Sequence, residues 1–597
     1  MPLVILGASA VFTVRLWQLQ IVQGEFHRER ALSASTRTVS TLAPRGEIFD
    51  RQGRLVAGVK TAWVVRANPS IVLKNPKKEA ERISLLLADA SRVLELSPEE
   101  IENRLKQADN KALPTDLLVN ATAAQAIKIA EQPHRFPGFE VQVRALREVR
   151  ETTALSHILG YVGRPNEAII NQLKEQEIVP ADYVGRDGLE RVYEKELMGR
   201  TGTLTMSVDS RGRPLQQTKS ESPTPGSRLF LTLDLDLQKE AQRLMGARKG
   251  AIVALDPKTG DVLAFVSAPT YDLSLFEGGI SRADYARLAE DPGKPLMRRP
   301  SQGLYSPGST FKIITALAAA RQGLLGHSEY CPGFKTVGNR RVRCGNHSPG
   351  LTQGFEAAFR TSCNSYFVAL ALKVGPEEVA KAARDLGLGL PTNIDLPSEF
   401  KGSIPDGEVV KELGGRSRPW YLGDTANMGI GQGGVLVTPL QMAQVMMRVA
   451  DNGRAPVPRV VRAVQGADDK SPRLLEPKMA EPFSAPDVYW SRLKNAMESV
   501  ISRGTAKRAQ IPGLTWGGKT GSTEHSRSNR THSWFVGMAP IDDPQIVIAV
   551  LSEQAGHGGE VSAPIAGGVV RKFFELQEAR RSDSASSMAR RQESSSS

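Results

Sequence analysis

The chain has 597 residues, 40% of them hydrophobic and 24% charged. That is too long for one ordinary domain and apolar enough for large cores, so a wholly disordered protein is excluded. Lys and Arg number 77 against 64 Asp and Glu, a net charge of +13; such an excess favours an anionic partner without choosing among nucleic acid, lipid surface and polymer. The sequence holds no RNA-binding aromatic signature, zinc finger or basic helix-turn-helix, so nucleic acid is not the expected partner.

Residues 2–14 (PLVILGASAVFTV) are almost wholly apolar, and LWQLQIV carries the run past Arg15 to Val22. A spanning helix needs roughly 20 residues, which 1–22 reaches if Arg15 snorkels to an interface. No basic segment precedes the run and no small-residue cleavage site follows closely, so an uncleaved membrane anchor is expected. A buried soluble helix is the alternative. In APRGEIFDRQGRLVAG two short strands flank a turn at Asp50-Arg51-Gln52-Gly53. Helical periodicity covers much of 75–130, and Ser97-Pro98-Glu99-Glu100 is a helix start with a cap, a proline and acids in the first turn. A Gly- and charge-rich stretch ends in SESPTPGS (220–227), the best linker candidate.

Beyond 228 the character changes. RLFLTLDLDL reads as a strand and DLQKEAQRLM as a helix; GAIVALD and DVLAFVSAP are two strands joined by a Pro-Lys-Thr-Gly turn. YSPGSTFKIITALAAARQG is a Pro-Gly break followed by an apolar helix. LTWGGKTGST, HSWFVGMAP and QIVIAVLSE read as three consecutive antiparallel strands, and APIAGGVVRKFFELQEARR as a closing helix. A sheet made from both ends of a domain around a helical middle is an α+β architecture. The expected organisation is an anchor over 1–22, a first domain over 23–227, a second over 228–580 and a disordered tail over 581–597.

Three cysteines, Cys331, Cys344 and Cys363, cannot make a disulfide scaffold. Cys331 and Cys344 lie close enough in sequence to pair in an exported chain. With His347 they offer a metal three ligands at irregular spacing, short of the four of a closed zinc site, so no metal is expected. No H-x-x-x-H pair signals zinc hydrolase chemistry.

One constellation stands above this background. Ser309-Thr310-Phe311-Lys312 is S-x-x-K at a helix start, Ser362-Cys363-Asn364 is S-x-N, and Lys519-Thr520-Gly521 is K-T-G on a strand. Each motif alone is weak. Ser398 and Ser491 also open S-x-x-K patterns, and Lys258 opens a second K-T-G. These fail on context: Lys258 sits in a turn and precedes every S-x-x-K, Ser398 follows a proline in a loop-like stretch, and Ser491 falls within an amphipathic helix. Taken singly, Ser309 reads equally as a helix cap, Ser362 and Asn364 as caps, and Lys519 as an exposed strand charge; order and context join them.

The chemistry explains the residue types. A serine hydroxyl needs a nearby base, and Ser309 and Lys312, three apart on a helix, share a face. Lys312 must be neutral to act as one. Burial, a helix N-terminus and a second cation such as Lys519 all favour that state. Ser362 can relay a proton to a leaving group, while Asn364 can hold a substrate carbonyl. On the strand, Gly518 and Gly521 permit close approach of a peptide, Lys519 and Thr520 can bind a terminal carboxylate, and the N–H groups of Ser522 and Ser309 can form an oxyanion hole. His525 and His532 flank the strand, but no G-x-S-x-G elbow accompanies them. Cys363 as a thiol nucleophile lacks a histidine in matching context.

With these residues the chain resembles class B penicillin-binding proteins over almost its whole length. RGEIFDRQGRLVA (45–57), HILGYVG (157–163) and GLERVYEKELMGRTG (188–202) carry the resemblance in the N-terminal half; YSPGSTFK, TSCNSYF, GKTGSTE and WFVGMAP carry it in the C-terminal half. YCPG (330–333), the cysteine-bearing segment before S-x-N and PWYLGDTANMGIGQGGVLVTPLQMA (419–443) are most similar to the elongation-type branch. The resemblance implies a penicillin-binding, serine β-lactamase-like transpeptidase domain on an elongated α+β pedestal, held in the cell membrane by one N-terminal helix. It implies a peptidoglycan D,D-transpeptidase: stem peptides ending in D-Ala-D-Ala acylate Ser309, D-Ala leaves, and an amine on a neighbouring stem resolves the ester. β-Lactams would acylate the same serine. Implied partners are a SEDS-family (RodA-like) glycosyltransferase and MreC-like elongation scaffolds; no cofactor is implied. The alternatives are a D,D-carboxypeptidase or β-lactamase-like hydrolase on the same site, a septal-type transpeptidase, or an idle scaffold for a polymerase. Two positions depart from the family pattern: Ser522 stands where Thr is usual, and Arg298 where Asn is expected.

Overall fold

The computed structural model describes residues 2–23, 36–41, 43–108, 114–175, 183–208, 214–345, 347–405, 407–411, 417–525 and 528–595. At the N-terminus an α-helix spans Pro2–Trp17 and continues as a π-helical turn over Gln18–Val22. Its side chains Val11, Phe12, Val14, Leu16, Trp17, Ile21 and Val22 are exposed, Phe12 at 70% and Ile21 at 68%. Among the described residues no helix is long and apolar enough to cross a membrane.

The pedestal is built on the long strand Leu55–Ala67, which pairs antiparallel with Thr115–Ala121 on one side and Phe139–Val149 on the other. Helices Ala80–Leu94 and Pro98–Lys106 bury Ile83, Leu86, Leu87, Ala90, Leu94, Ile101 and Leu105 at helical spacing in a core of their own. The second helix starts where the sequence predicts: the Ser97 hydroxyl accepts from Glu100 N–H (3.1 Å), and Pro98 follows at the first position. The turn at 50–53 is likewise present, tied by the buried Asp50 carboxylate accepting from the N–H groups of Gln52 and Arg54.

The pedestal sheet does not stop at the linker. Ile48–Phe49 pairs parallel with Leu229–Phe230, and Arg228–Leu231 pairs antiparallel with Val461–Gln465. One sheet therefore takes strands from both halves of the chain. The 220–227 segment is itself bonded down, Gly226 N–H to Pro44 O and Ser227 N–H to Glu196 O. Ion pairs Arg51–Asp261 and Arg54–Asp236 (both 2.8 Å) add to the seam.

The second half centres on a five-stranded antiparallel sheet of β1 (Gly250–Leu255), β2 (Val262–Ala268), β3 (Gly517–His525), β4 (Ser528–Ala539) and β5 (Ile546–Ser552), in the order β2-β1-β5-β4-β3. Strands β1, β2 and β5 are buried at every position, so both faces are covered. The helices that matter here are α1 (Leu235–Met245), α2 (Lys312–Arg321), α3 (Asn364–Val374), α4 (Pro439–Ala450), α5 (Asp487–Ser502) and α6 (Ser562–Ser595). Helices α1 and α6 pack on each other and on the sheet, while α4 packs on β1, β4 and β5. The outermost strand is β3, so one edge of the K-T-G strand is open to an added chain. Helix α6 runs to Ser595, through residues expected to form a disordered tail.

Candidate active site

Ser309 lies in a short 3₁₀ turn, Gly308–Phe311, that leads directly into α2. The turn is fixed by close backbone contacts. Gly308 has φ +55°, and a Cβ there would stand 2.4 Å from Thr523 Cγ2 on β3. Its N–H donates to Gly431 O (2.9 Å), and Gly431, φ +70°, approaches so near that its own Cβ would lie 2.3 Å from Gly308 O. Gly521 on β3 closes against Pro307 O in the same way. Trp534 Nε1–H donates to Ser306 O (3.1 Å). The Ser309 turn is thus wedged between the glycine loop 429–434 and β3, which leaves Ser309 half-buried at the strand edge.

The other two motifs converge on the lysine three positions on. Lys312 is fully buried at the start of α2, and its Nζ donates to Asn364 Oδ1 (2.7 Å), Ser362 O (2.8 Å) and Ser362 Oγ (3.1 Å). Lys519, also fully buried, donates from Nζ to Ser362 Oγ (2.9 Å) and Thr520 O (3.0 Å). Ser362 Oγ therefore accepts from both lysine side chains, which fills its lone pairs and leaves its own O–H as the donor. Asn364 is held from behind by its Nδ2–H on Arg343 O (2.8 Å). Thr520 Oγ1 meets Thr505 Oγ1 at 2.6 Å, and Ser522 Oγ accepts from Gly558 N–H (3.1 Å). Ser309, Lys312, Ser362, Asn364, Lys519, Thr520, Gly521 and Ser522 are brought to one place from positions more than 200 residues apart.

A bent backbone makes the S-x-N work. Ser362 has φ +56°, a left-handed conformation unusual for a residue with a side chain. It joins helix Phe355–Arg360 to α3 and turns Ser362 Oγ and Asn364 Oδ1 toward the same amine.

Two amines in one dry pocket cannot both hold a proton comfortably. Burial lowers Lys312 to about 7, and nearby Cys363 and Cys344 act in the opposite direction. Lys519 is pushed well below the usual lysine range by burial and then by Lys312. Each Nζ also sits over an aromatic ring, Lys312 over Phe367 (5.3 Å) and Lys519 over Phe359 (5.6 Å).

Behind the S-x-N lies a second cluster. The ligand atoms of Cys331, Cys344, His347 and Cys363 all lie within 4.8 Å of one another. The expectation of no metal site rested on three ligands; the fold adds Cys363 as a fourth. All three cysteines are free thiols, so the Cys331–Cys344 pairing left open by the sequence is not made. Ser365 N–H and Oγ hydrogen-bond to Cys344, and Ser365 Oγ also meets Cys331 Sγ at 3.1 Å. The hydrogen bond with Cys363 holds the Cys344 thiol below its usual range against the effect of burial, and the bonds from Ser365 and Cys331 add to it. Three soft sulfurs and one imidazole match the tetrahedral donor set of a structural zinc ion.

Arg298 also gains a place. It is 2% exposed and donates to His157 O (2.7 Å), Pro397 O (2.7 Å) and Asp187 Oδ1 (2.8 Å), joining the pedestal to the loop that precedes Ser309. Sequence reasoning passed over Gly431, Thr505 and the two rings under the lysines; only the Gly-rich run GIGQGG hinted at any of them. The competing motifs lie elsewhere. Lys258 occupies an exposed turn paired with Asp543 (2.6 Å), and Ser491 lies at a solvent-facing position of α5. His532 stacks edge-on against Tyr305 (5.6 Å), outside the lysine cluster, and His525 ends β3.

Residues 250–571 match the penicillin-binding protein transpeptidase domain and 40–231 the penicillin-binding protein dimerisation domain. The peptidoglycan D,D-transpeptidase MrdA of Haemophilus influenzae is 31% identical over 94% of this chain and 89% of its own length. Among solved structures, a penicillin-binding protein 2 in complex with MreC from Helicobacter pylori superposes with a TM-score of 0.78 at 25% identity, covering 91% of this chain and 99% of that one. A chain from a peptidoglycan synthase complex that coordinates polymerisation and crosslinking gives 0.68 at 28% identity, covering 95% and 97%. The chain belongs to the penicillin-binding protein transpeptidase family. It is a serine acyl-transferase of the D,D-transpeptidase type, on the elongation branch.

Proposed function

We propose that this transpeptidase crosslinks peptidoglycan stem peptides through an acyl-enzyme on Ser309. The observation that carries the assignment is the convergence of Lys312, Ser362, Asn364 and Lys519 beside the nucleophile turn. A stem peptide laid along the open edge of β3 puts its terminal carboxylate at Lys519 and Thr520. That anion favours the charged form of Lys519, whose charge in turn favours neutral Lys312. Neutral Lys312 takes the Ser309 proton as the hydroxyl attacks the penultimate D-Ala carbonyl, and the N–H groups of Ser309 and Ser522 bind the developing oxyanion. The Ser362 hydroxyl, in contact with both amines, passes its proton to the departing D-Ala nitrogen and takes back from Lys312 the proton removed from Ser309. An amine of a second stem then attacks the ester by the same steps in reverse. β-Lactams acylate Ser309 because their strained amide occupies the place of the scissile bond.

The same reading places the chain in the cell envelope. The helix at Pro2–Trp17, with exposed Val11, Phe12, Val14, Leu16 and Trp17, serves as the single membrane anchor over residues 1–22. Residues 23–227 form the pedestal and 228–580 the transpeptidase domain. The relative solved with MreC and the relative from a synthase complex support an MreC-like scaffold and a SEDS-family glycosyltransferase as partners. The test is mass-spectrometric mapping of a bound fluorescent penicillin: the adduct is expected on the peptide bearing Ser309 and absent in Ser309→Ala. Label retained in that variant refutes the assignment.

A further inference from the structure

A cleft of about 1100 Å³ opens at the end of the catalytic sheet where β1 begins and β5 ends. Arg248 and Lys249 line it from the loop before β1, Lys294 from the loop before the nucleophile, and Arg530 from the start of β4. All four are exposed, and none has a carboxylate partner among the described residues. Lys249 Nζ donates only to Pro292 O (3.2 Å) and Arg248 Nη1 to Met245 O (3.3 Å). The carboxylate in the lining, Glu553, is already committed: its Oε1 accepts from Arg299 Nε (2.7 Å) and from the Tyr305 hydroxyl (2.7 Å). Four uncommitted cations around one neutralised acid make the cleft an anion receptor.

Several residues of the cleft's lining neighbour the active site along the chain or across the sheet. Tyr305 on its wall is four residues before Ser309. Thr531 lies opposite Glu524 in the β3–β4 pairing. His557, also lining it, precedes Gly558, whose N–H is on Ser522 Oγ (3.1 Å). A peptide leaving the β3 edge at its C-terminal end runs into this space. The cations stand on three separate segments instead of converging on one point. That suits several carboxylates strung along a chain better than a single compact phosphate. Leu304, 38% exposed, and Met297 supply apolar wall for short side chains.

We propose that this cleft binds the side carboxylates of a peptidoglycan stem peptide and so sets which stem chemistry the enzyme accepts. The proposal rests on the transpeptidase reading above. Lys294 and Arg530, from separate segments of the lining, are its specificity-determining residues.

The full chain is assayed with two soluble stem peptides, a pentapeptide donor and a tetrapeptide acceptor, each with side carboxylates free or amidated. On the unmodified protein, amidation is expected to raise KM about tenfold, roughly the worth of one well-placed charge contact, with kcat little changed. A rise confined to the acylation step assigns the cleft to the donor; a rise confined to ester transfer assigns it to the acceptor. Lys294→Glu with Arg530→Glu should bring the free peptide to the KM of the amidated one, and Lys294→Arg with Arg530→Lys should restore the difference. Equal KM for free and amidated peptides in both steps on the unmodified protein overturns the proposal, and needs no variant. Failure of the transpeptidase reading looks different, since penicillin would then leave no adduct on Ser309.

Discussion

The ionisation of Lys312 is the most exposed part of the mechanism, because pH alone perturbs it. The amine is fully buried, and its titration midpoint lies near 7. The sign follows from the role. A base must be unprotonated, so acylation rises as pH rises through that midpoint and levels above it. With a midpoint of about 7, roughly a tenth of the molecules hold a neutral amine at pH 6 and about nine-tenths at pH 8. The second-order rate of acylation by a fluorescent penicillin, followed by stopped flow, should therefore rise about tenfold between those values and then flatten. An ordinary lysine would stay under about 1% neutral at pH 8, and the rate would climb on toward pH 10. Because Lys519 is coupled to Lys312 through Ser362, the observed midpoint belongs to the pair. Lys519→Met removes the second amine and should shift the midpoint upward while weakening capture of the penicillin carboxylate. Lys312→Met should cost at least about 100-fold in rate at every pH. A profile that keeps climbing to pH 10 in the unmodified protein would falsify the neutral-lysine step.

Three further outcomes follow from particular contacts. Gly308→Ala places a Cβ 2.4 Å from Thr523 Cγ2 in a left-handed conformation; it should destabilise by about 1–3 kcal/mol and slow acylation more than tenfold by moving Ser309, read from calorimetry and penicillin kinetics on the same sample. Arg298→Ala leaves His157 O, Pro397 O and Asp187 without their donor; a loss of about 3 kcal/mol is expected, and unchanged denaturant midpoints would show that the guanidinium does not clamp the two halves. Purified protein should carry one zinc ion per chain by elemental analysis, released by a strong chelator and lost in Cys331→Ser with Cys344→Ser. Metal-free protein with three reactive thiols would refute the zinc assignment.

Much of the catalytic half could be read directly from residue patterns. GAIVAL, VLAFVSA and IVIAVLS are short, continuous apolar runs bounded by turns, and each is a strand buried on both faces. S-x-x-K, S-x-N and K-T-G could be singled out because each sits at an element boundary with the right order. What escaped was non-local or contrary to composition. The short strand Ile48–Phe49 is legible beside its turn, but nothing local in it shows that it joins the pedestal to Leu229–Phe230 across some 180 residues. Residues 581–595 are rich in Ser and charge, which argues for disorder, but Ala, Met, Arg, Gln and Glu are good helix formers and extend α6. The role of Arg298 depends on carbonyls of His157 and Pro397, far off in both directions along the chain.

The cysteine cluster shows the same limit at closer range, and it bears on catalysis. Ser362-Cys363-Asn364 is a motif whose middle position reads as free. The left-handed turn at Ser362 sends the two outer side chains to Lys312 and Lys519 and leaves the Cys363 thiol beside Cys344, at 3.9 Å, with Cys331 and His347 completing the group. One tripeptide thus has two anchors, a pair of lysines on one side and a sulfur cluster on the other. The strained φ at Ser362 persists only where neighbouring contacts over-determine it. Those contacts are the lysine hydrogen bonds, the Cys363 N–H on Ala358 O (2.8 Å) and the cluster itself. Loosening the sulfur side should therefore move Ser362 Oγ before it moves Ser309, slowing proton delivery to the leaving group more than attack on the carbonyl.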